Sequence, residues 1–323
     1  MKGRDKLKIT ILGAGAMGCM LAKAIESPGN EVNLVDPYEA HMEKIRKDGI
    51  RIIDRTGGES TVKVTSASTS SQDLEVQDVV VILVKGYDTE KILTENMNIV
   101  GDKTVVMTLQ NGIGNVDILK KYIKEENIAQ GIMFISASIE EPGVISAGYD
   151  SDKTNVIFGA INENHDDKLF HEIEKTFSMN DIKTELNPDV DRIMWRKLYI
   201  NAIYNLPCAV MHLSTKYTRT DENSVAILKA ISDEFIAVTD KLGYDFDGDK
   251  LFRKYVTDAF EEYGDILPSA AQDTQKHRKT EAEFLNGAIV RQAKKLGLEA
   301  PVNETIYRLA MVQMNNYDNM FSL

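Results

Sequence analysis

Three polar side chains with a regular spacing mark a possible site for chemistry in an otherwise apolar segment. Lys197, Asn201 and Asn205 lie in WRKLYINAIYNLP and follow each other at intervals of four residues, so they share one face of the predicted helix. A lysine placed there could stabilise a developing oxyanion and deliver a proton. Buried amides and ammonium groups need partners. The same spacing is also typical of a solvated polar face. The helix alone therefore does not distinguish a catalytic site from a polar surface.

A second polar stretch follows later, in LPSAAQDTQKHRKTEAEFLNGAIVRQAKKLG. It contains Ser269 directly after a proline, and Glu281 at the beginning of a helix predicted over 280–296. An ordinary interpretation also exists, because the helix dipole favours a carboxylate in the first turn. Thr280 could be the N-cap of this helix, with Glu283 as its capping-box partner.

The N-terminal segment KITILGAGAMGCMLAKAI has the pattern of a phosphate-binding turn. Gly13, Gly15 and Gly18 lie between a predicted strand and a predicted helix. In that context the first glycine allows a tight turn, the second lets the backbone approach a pyrophosphate, and the third lets the strand and helix pack closely. The pyrophosphate would meet backbone N–H groups at the helix N-terminus. The alternative is a tight turn that binds nothing.

Asp36 ends the next predicted strand, EVNLVD, where an acid would bind the adenosine ribose of a dinucleotide. Its carboxylate would accept hydrogen bonds from the ribose 2′-hydroxyl of NAD and would repel the 2′-phosphate of NADP. Pro37, Tyr38 and Glu39 follow, and the next lysine or arginine is Lys44. We therefore expect NAD(H) to be favoured over NADP(H). An aspartate before a proline would also suit a helix N-cap.

The elements that must position these residues alternate between strands and helices in the first part of the chain. This alternation predicts an α/β domain of the Rossmann type, with a doubly wound parallel sheet. IRIIDRTGGESTVKVT predicts two short strands around a Gly57-Gly58 turn, and the strands between 127 and 185 are expected to extend the sheet. The apolar strands of the sheet are predicted at 7–12, 31–36, 78–85 and from 104.

Beyond Asn187-Pro188 the pattern changes to long helices. We therefore expect a dinucleotide-binding Rossmann domain over 1–187 and an all-helical substrate domain over 188–323. The helices of the second domain are predicted at 189–206, 222–243, 247–263 and 280–296.

Composition excludes several classes of function. The net charge of −12 and the pI of about 5.0 argue against nucleic acid or an anionic membrane surface as a partner. No apolar run reaches the ~18 residues of a membrane span. Cys19 and Cys208 lie in apolar stretches, which is typical of reduced core thiols in a cytoplasmic protein. The five histidines are scattered without the spacing of metal ligands, so no metal site is expected.

Five ordered motifs together resemble the ketopantoate reductase (2-dehydropantoate 2-reductase) family. They cover nearly the whole chain: GAGAMG at 13–18, VK at 84–85, QNGIGN at 110–115, WRKLYINAIYN at 195–205 and PSAAQD…RKTEAEFLNG at 268–287. NAD-dependent D-2-hydroxyacid dehydrogenases, including D-mandelate dehydrogenases, share this framework. The resemblance implies a C-terminal domain like that of 6-phosphogluconate dehydrogenase, with NAD(P) bound to the first domain and the substrate held between the two domains.

The resemblance also implies roles for individual residues. Lys197 matches the lysine that protonates the ketone oxygen as hydride arrives at C2, and Glu281 matches the acid that partners the lysine or the substrate hydroxyl. The implied substrate-binding residues are Asn201, Asn205, Ser269 and Asn111, with Ser269 near the carboxylate. The implied cofactor-binding residues are Gly13, Gly15, Ala16, Met17, Gly18, Asp36, Lys85 and Asn111.

Four positions depart from the family pattern. Asp36-Pro37 stands where members that use NADPH tend to carry a cation, and Ile266 stands where the reductases commonly have an asparagine that contacts substrate. Glu283 and Ala270 replace the usual aspartate and methionine. The change at Asp36-Pro37 puts NADPH use in doubt. The change at Ile266 puts pantoate specificity in doubt, because losing a polar contact to a substrate hydroxyl would favour a more apolar 2-keto acid.

The expected function is reduction of a 2-keto acid to a D-2-hydroxy acid, with 2-dehydropantoate and NADH as first choice, in pantothenate and coenzyme A synthesis. The alternative is a D-mandelate-type dehydrogenase acting on branched or aromatic 2-keto acids. A non-catalytic dinucleotide-binding regulator would be expected to lack Lys197 or Glu281, and both are present. The only expected partners are the small-molecule substrate and a second copy of the chain, since the apolar C-terminal helices could form either a homodimer or a core.

Overall fold

The computed structural model describes residues 6–259 and 264–320, which form two compact units. Unit 1 runs to Gln110 and continues from Asn115 to Asp191, while unit 2 contains the loop Asn111–Gly114 and the chain from Arg192 onward. The units therefore divide after Asp191, and one loop from the first half of the sequence groups with unit 2. The expected functional boundary at 187 stays a proposal.

The strands of the described residues all lie in unit 1. They are β1 (Lys8–Leu12), β2 (Glu31–Val35), β3 (Ile50–Asp54), β4 (Glu59–Val62), β5 (Ser66–Ser68), β6 (Val79–Ile82), β7 (Val105–Thr108), β8 (Ile128–Met133), β9 (Ser136–Glu141), β10 (Val144–Gly148), β11 (Thr154–Ala160) and β12 (Lys183–Leu186).

An eight-stranded sheet with the order β12-β11-β8-β7-β6-β1-β2-β5 forms the centre of unit 1. All neighbours are parallel except β8 and β11, which are antiparallel. Every residue of β6 and β7 is buried, as a sheet covered on both faces requires. The expected doubly wound Rossmann-type sheet is confirmed, and its strand order reverses between β1 and β6.

The strands between 127 and 185 do not all extend this sheet. β8, β11 and β12 do so, but β9 and β10 join the hairpin of β3 and β4 in a second sheet with the order β4-β3-β10-β9. The expectation was therefore wrong for two strands. The physical reason is visible in β9, where five of its residues are exposed and the other is partly buried. Such a strand cannot lie in a sheet that helices cover on both faces.

Helices cover the large sheet of unit 1 and form the regular structure of the described residues of unit 2. Unit 1 contains α1 (Ala16–Ile25), α2 (Glu39–Asp48), α3 (Thr89–Glu95), α4 (Asn115–Leu119) and α5 (Asp167–Phe177). The helices that follow are α6 (Val190–Met211), α7 (Thr215–Thr218), α8 (Glu222–Lys241), α9 (Gly248–Phe252), α10 (Ser269–Gln275), α11 (Asn286–Lys295) and α12 (Pro301–Met314). Within the described ranges, unit 2 contains no strand, as expected.

Packing decides where the helices of unit 2 begin and end. The end predicted at 206 was wrong, because α6 continues through Pro207 to Met211. Proline removes one backbone donor, but its neighbours Leu206, Cys208 and Ala209 are almost completely buried. Their burial offsets the lost hydrogen bond. The helix predicted over 247–263 is α9 followed by a π turn over 253–257, and residues 260–263 lie outside the described residues.

The helix predicted over 280–296 begins later than expected. Ala282–Phe284 forms a separate 3₁₀ turn, and the regular helix α11 begins only at Asn286. The carbonyl of Phe284 accepts a hydrogen bond from the N–H of Ile113 at 2.9 Å. In a continuous helix this carbonyl would instead accept a hydrogen bond from a residue of the same helix. Thr280 is not an N-cap, since its backbone N–H and hydroxyl contact the Sδ of Met314. The capping-box interpretation was therefore wrong.

Candidate functional site

The glycine-rich turn lies at the point where the strand order of unit 1 reverses. Gly13 follows β1, and Val84 and Lys85 follow its neighbour β6. In doubly wound sheets, ligands bind beyond the carboxyl ends of the strands at this point. Gly13 has a φ of +100°, and a Cβ there would lie 2.6 Å from the backbone nitrogen of Val84. A larger residue would therefore be strained and would collide with the next turn.

The other two glycines have different environments. A Cβ on Gly18 would lie 2.2 Å from the carbonyl oxygen of Gly13, so this glycine allows α1 to pack against the turn that precedes it. At Gly15 a Cβ would meet nothing within 4 Å. The space in front of Gly15 is open at the N-terminus of α1, where backbone N–H groups favour an anion. These features fit a dinucleotide pyrophosphate held by the backbone of Gly15, Ala16 and Met17.

Asp36 makes a turn but does not cap a helix. Its Oδ1 accepts a hydrogen bond from the backbone N–H of Tyr38 at 2.9 Å, and its own N–H donates to the carbonyl of Ser68 at 3.1 Å. The N-cap position of α2 is Tyr38, so the alternative N-cap role of Asp36 was wrong. A carboxylate offers about four acceptor positions on two oxygens. The bond from Tyr38 uses one of them, so enough acceptor positions remain for the two hydroxyl groups of a ribose.

Lys85 lies in a turn that a buried polar network holds in place. The side-chain amide of Gln110 donates to the carbonyl of Val84 at 2.7 Å and to the hydroxyl of Thr89 at 2.8 Å, while its Oε1 accepts from Thr108. These bonds join the ends of β6 and β7, and they fix the backbone immediately before Lys85. Sequence reasoning did not identify Gln110, although it is the first residue of the QNGIGN motif.

In unit 2, Lys197 and Glu281 form an electrostatic pair. Burial lowers the pKa of Lys197 to about 8, and the negative charge of Glu281 opposes this shift. Glu281 is 8% exposed and precedes the 3₁₀ turn of Ala282–Phe284. Desolvation is the larger effect, so the lysine lies closer to neutrality than an exposed ammonium group. The sequence alone did not determine this direction.

Asn201, Asn205 and Ser269 form a hydrogen-bonded chain with a defined direction. The backbone N–H of Ala270 can only donate, and it binds the Oδ1 of Asn205 at 3.0 Å. The hydroxyl of Ser269 donates to the same oxygen at 3.0 Å. The Nδ2 of Asn205 therefore faces Asn201 and donates to its Oδ1 at 3.1 Å. As a result, the amide of Asn201 is oriented so that its Nδ2, a donor, is available to a ligand.

Asn111 belongs to the loop that groups with unit 2. A Cβ on the adjacent Gly112, which has a φ of +83°, would lie 2.2 Å from the carbonyl oxygen of Phe284. The N–H of Ile113 donates to that same carbonyl, and the Nη2 of Arg291 donates to the carbonyl of Ile113 at 3.2 Å. The loop that carries Asn111 is thus fixed on the segment that follows Glu281. Sequence reasoning did not identify Arg291, which carries no motif of its own.

Other candidate groups are accounted for. Cys19 and Cys208 are buried and reduced, as expected, and burial raises the pKa of Cys208 to about 11. Among residues 6–259 and 264–320, no three His, Cys, Asp or Glu side chains are grouped as metal ligands would be. In the same part of the chain, no helix has the length and apolar character needed to cross a membrane.

Comparison with known protein families agrees with this arrangement. The family model described as Ketopantoate reductase PanE/ApbA matches residues 9–163, and the model of the C-terminal domain of the same family matches residues 189–313. The chain belongs to the ketopantoate reductase family. As a member, it is an NAD(P)-dependent oxidoreductase that acts on CH–OH groups.

Individual relatives cover almost the whole chain. A 2-dehydropantoate 2-reductase from Streptococcus pyogenes is 28% identical over 303 residues, which span 93% of this chain and 96% of the relative. The enzyme of that name from Archaeoglobus fulgidus is also 28% identical, over 94% of this chain and 96% of its own. A D-mandelate dehydrogenase structure with NADH and anilino(oxo)acetate is similar with a TM-score of 0.86 and 25% identity, covering 97% of this chain and all of the other.

Proposed function

We propose that this ketopantoate reductase family member uses NADH to reduce a 2-keto acid to a D-2-hydroxy acid, with 2-dehydropantoate as the substrate. The observation that carries the proposal is the partly desolvated Lys197 beside Glu281, on the helix face that also bears Asn201 and Asn205. An ammonium group and a directed amide donor are the groups that a 2-keto acid needs as negative charge develops on its carbonyl oxygen. The relatives named 2-dehydropantoate 2-reductase support this choice of substrate.

In the proposed mechanism each side chain has one task. Lys197 hydrogen-bonds the ketone oxygen and gives it a proton as the oxygen becomes an alkoxide. Glu281 favours the ammonium form of Lys197, which keeps the proton available. The Nδ2 of Asn201 orients the substrate, while Ser269 and Asn111 are proposed as further contacts to it. NADH, when bound, supplies the hydride that reduces C2.

The preference for NADH is part of the proposal. Asp36 would accept hydrogen bonds from the 2′-hydroxyl of the adenosine ribose and would repel a 2′-phosphate. Gly13, Gly15, Ala16, Met17 and Gly18 are proposed to hold the pyrophosphate. Lys85 and Asn111 are proposed to contact the nicotinamide half. The similar D-mandelate dehydrogenase structure contains NADH, which supports the same preference.

One observation favours a second candidate function, a D-mandelate-type dehydrogenase of branched or aromatic 2-keto acids. The side chain of Ile266 is 51% exposed, and it lies three residues before Ser269 in the segment that leads into α10. Its backbone is tied to Thr215 by two hydrogen bonds of 3.0 Å. An isoleucine fixed at this position presents an apolar surface to a substrate. The asparagine that the reductases commonly have there would instead hydrogen-bond a substrate hydroxyl.

A substrate panel separates the two candidates. The enzyme is assayed with 2-dehydropantoate, 2-ketoisovalerate, 2-ketoisocaproate and phenylglyoxylate, each with NADH and NADPH, and the values of kcat/KM are ranked. We expect 2-dehydropantoate with NADH to rank first. A large advantage for the keto acids that lack a terminal hydroxyl would establish the second candidate, and a strong advantage for NADPH would contradict the role given to Asp36.

The role of Lys197 has its own test. Lys197→Ala should lower kcat by about 10²–10⁴, which is the usual worth of a general acid. Arg196→Ala is the matched control, because Arg196 is adjacent on α6 and exposed, so its loss should leave kcat nearly unchanged. Turnover of Lys197→Ala close to that of the control would refute the assignment.

The homodimer also remains a proposal. Leu309 and Val312 lie about one helical turn apart on α12 and are 47% and 60% exposed, which supports a contact between two copies at this helix. Light scattering at micromolar concentration gives the mass of the assembly. A monomer mass of 36.1 kDa at all concentrations would contradict the proposal.

A further inference from the structure

A buried histidine connects the glycine-rich turn to the second sheet of unit 1. His41 lies in α2 and is 1% exposed. Its Nε2 lies 3.0 Å from the carbonyl oxygen of Ala14, between the first two glycines of the turn. Its Nδ1 lies 2.9 Å from the backbone nitrogen of Gly143, in the turn between β9 and β10. Both ring nitrogens are therefore used by backbone groups of other elements.

The partners of His41 determine its tautomer. The backbone N–H of Gly143 can only donate, so Nδ1 must be the unprotonated acceptor. The proton of the neutral ring then lies on Nε2, which donates it to the carbonyl of Ala14. Burial lowers the pKa of His41, which favours this neutral form. The Sγ of Cys19 lies 3.3 Å from the same carbonyl oxygen and supplies a second, weaker donor.

Two donors on one carbonyl fix the orientation of a peptide plane. The described residues contain no cis peptide bond, and in a trans peptide the C=O and the following N–H point in opposite directions. With the carbonyl of Ala14 held toward His41, the N–H of Gly15 must point away from it. Gly15 is also the glycine in front of which the structure leaves open space.

We propose that His41 is a positioning residue for the cofactor, because it holds the Ala14–Gly15 peptide with its N–H directed at the diphosphate of the dinucleotide. The inference rests on the proposed function, which assigns this turn to NADH. His41 itself does not contact the diphosphate. It acts through Ala14. The ring of Tyr38, two residues after Asp36, stacks on the ring of His41 at a centroid distance of 5.7 Å.

A matched pair of amide variants tests the proposal. The amide of His41→Gln reaches the position of Nε2 and can still donate to Ala14, whereas the shorter amide of His41→Asn reaches only the position of Nδ1. We expect His41→Asn to raise the Kd of NADH about tenfold, because the buried carbonyl of Ala14 loses the stronger of its two donors. His41→Gln should change this Kd less than about threefold. In both variants, kcat at saturating NADH should stay near the wild-type value, because Lys197 and Glu281 lie in unit 2.

Binding is measured by titration calorimetry with NADH, and stability by thermal unfolding. Ile128→Ala is the control for stability, because Ile128 is fully buried in β8, far along the sheet order from β1. It should lower Tm without changing the Kd of NADH. Equal Kd values for His41→Asn and His41→Gln would overturn the role of His41, and so would a loss of kcat that parallels the loss of binding. A wild-type protein that binds neither NADH nor NADPH would instead refute the proposed function itself.

Discussion

At the scale of single residues, the pKa of Lys197 results from two opposing effects. Burial lowers this pKa to about 8, while the charge of Glu281 raises it. A general acid must be protonated before it reacts, so kcat/KM for keto acid reduction should fall as the pH rises through about 8. The reverse oxidation requires the neutral amine and should gain rate over the same range.

Replacing the partner of Lys197 should move this pH profile in a defined direction. In Glu281→Gln the negative charge is lost and the desolvation remains, so the pKa of Lys197 should fall. The alkaline limb of kcat/KM for reduction should then shift to lower pH. Glu283→Gln is the matched control, since Glu283 lies in the same turn but is not among the groups that shift the pKa of Lys197. An upward shift in Glu281→Gln would contradict the proposed pairing.

The direction of the hydrogen bonds that join Ser269, Asn205 and Asn201 leads to a second prediction at this scale. Asn205→Ala removes the acceptor of the Ala270 N–H and the donor that orients Asn201, so KM for the keto acid should rise about tenfold to a hundredfold. Ser269→Ala removes one donor to Asn205 but leaves the Ala270 N–H, which suffices to orient the chain. Its effect on KM should therefore be smaller. Equal effects of the two variants in steady-state kinetics would contradict the orienting role given to Asn205.

At the scale of elements, the three glycines of the turn should separate into structural and binding roles. Gly13→Ala and Gly18→Ala should each destabilise the protein by about 1–3 kcal/mol, because a Cβ would be strained at a φ of +100° in the first and would overlap the carbonyl oxygen of Gly13 in the second. Gly15→Ala should unfold at the wild-type temperature, since a Cβ there meets nothing within 4 Å. It should instead raise the Kd of NADH about tenfold or more, because the methyl group would occupy the space of the pyrophosphate.

Thermal unfolding and calorimetric titration of the three variants check this separation. A Gly15→Ala protein that binds NADH normally would show that no phosphate approaches this turn. A Gly15→Ala protein that is strongly destabilised would contradict the open environment that the structure gives it.

The elements differ in how far the sequence determined them. The turn after β1 was predicted correctly because its requirements are local: a strand, three glycines at fixed intervals and a helix. The segment around Glu281 was not, because the carbonyl of Phe284 is used by Ile113, which lies far away in the sequence. Likewise, α6 continues past Pro207 because of burial by other helices. His41 and Gln110 were missed for the same reason, since their partners are backbone atoms that only the fold brings near.

At the scale of the whole molecule, the sequence determined the two kinds of architecture but not the membership of every segment. Long apolar strands and long helices distinguish unit 1 from unit 2 without any knowledge of contacts. The separation of β9 and β10 into a second sheet depends on which strands are exposed, and this was not identified from the sequence. Nor was the grouping of Asn111–Gly114 with unit 2 identified. One hydrogen bond from Ile113 to the carbonyl of Phe284, the close approach of Gly112 to the same carbonyl and one hydrogen bond from Arg291 hold this loop.

That grouping predicts how the loop responds to local destabilisation. The amide of Ile113 exchanges with solvent only when its bond to Phe284 opens, so its exchange rate should follow the stability of unit 2. Phe235→Leu, a change in the core of unit 2, should speed exchange at Ile113 about tenfold, for a loss of about 1.4 kcal/mol. Ile128→Ala, a change in the core of unit 1, should leave that rate nearly unchanged while it speeds exchange in β8. Hydrogen exchange resolved by residue measures both variants, and an Ile113 amide that responds to Ile128→Ala alone would assign the loop to unit 1.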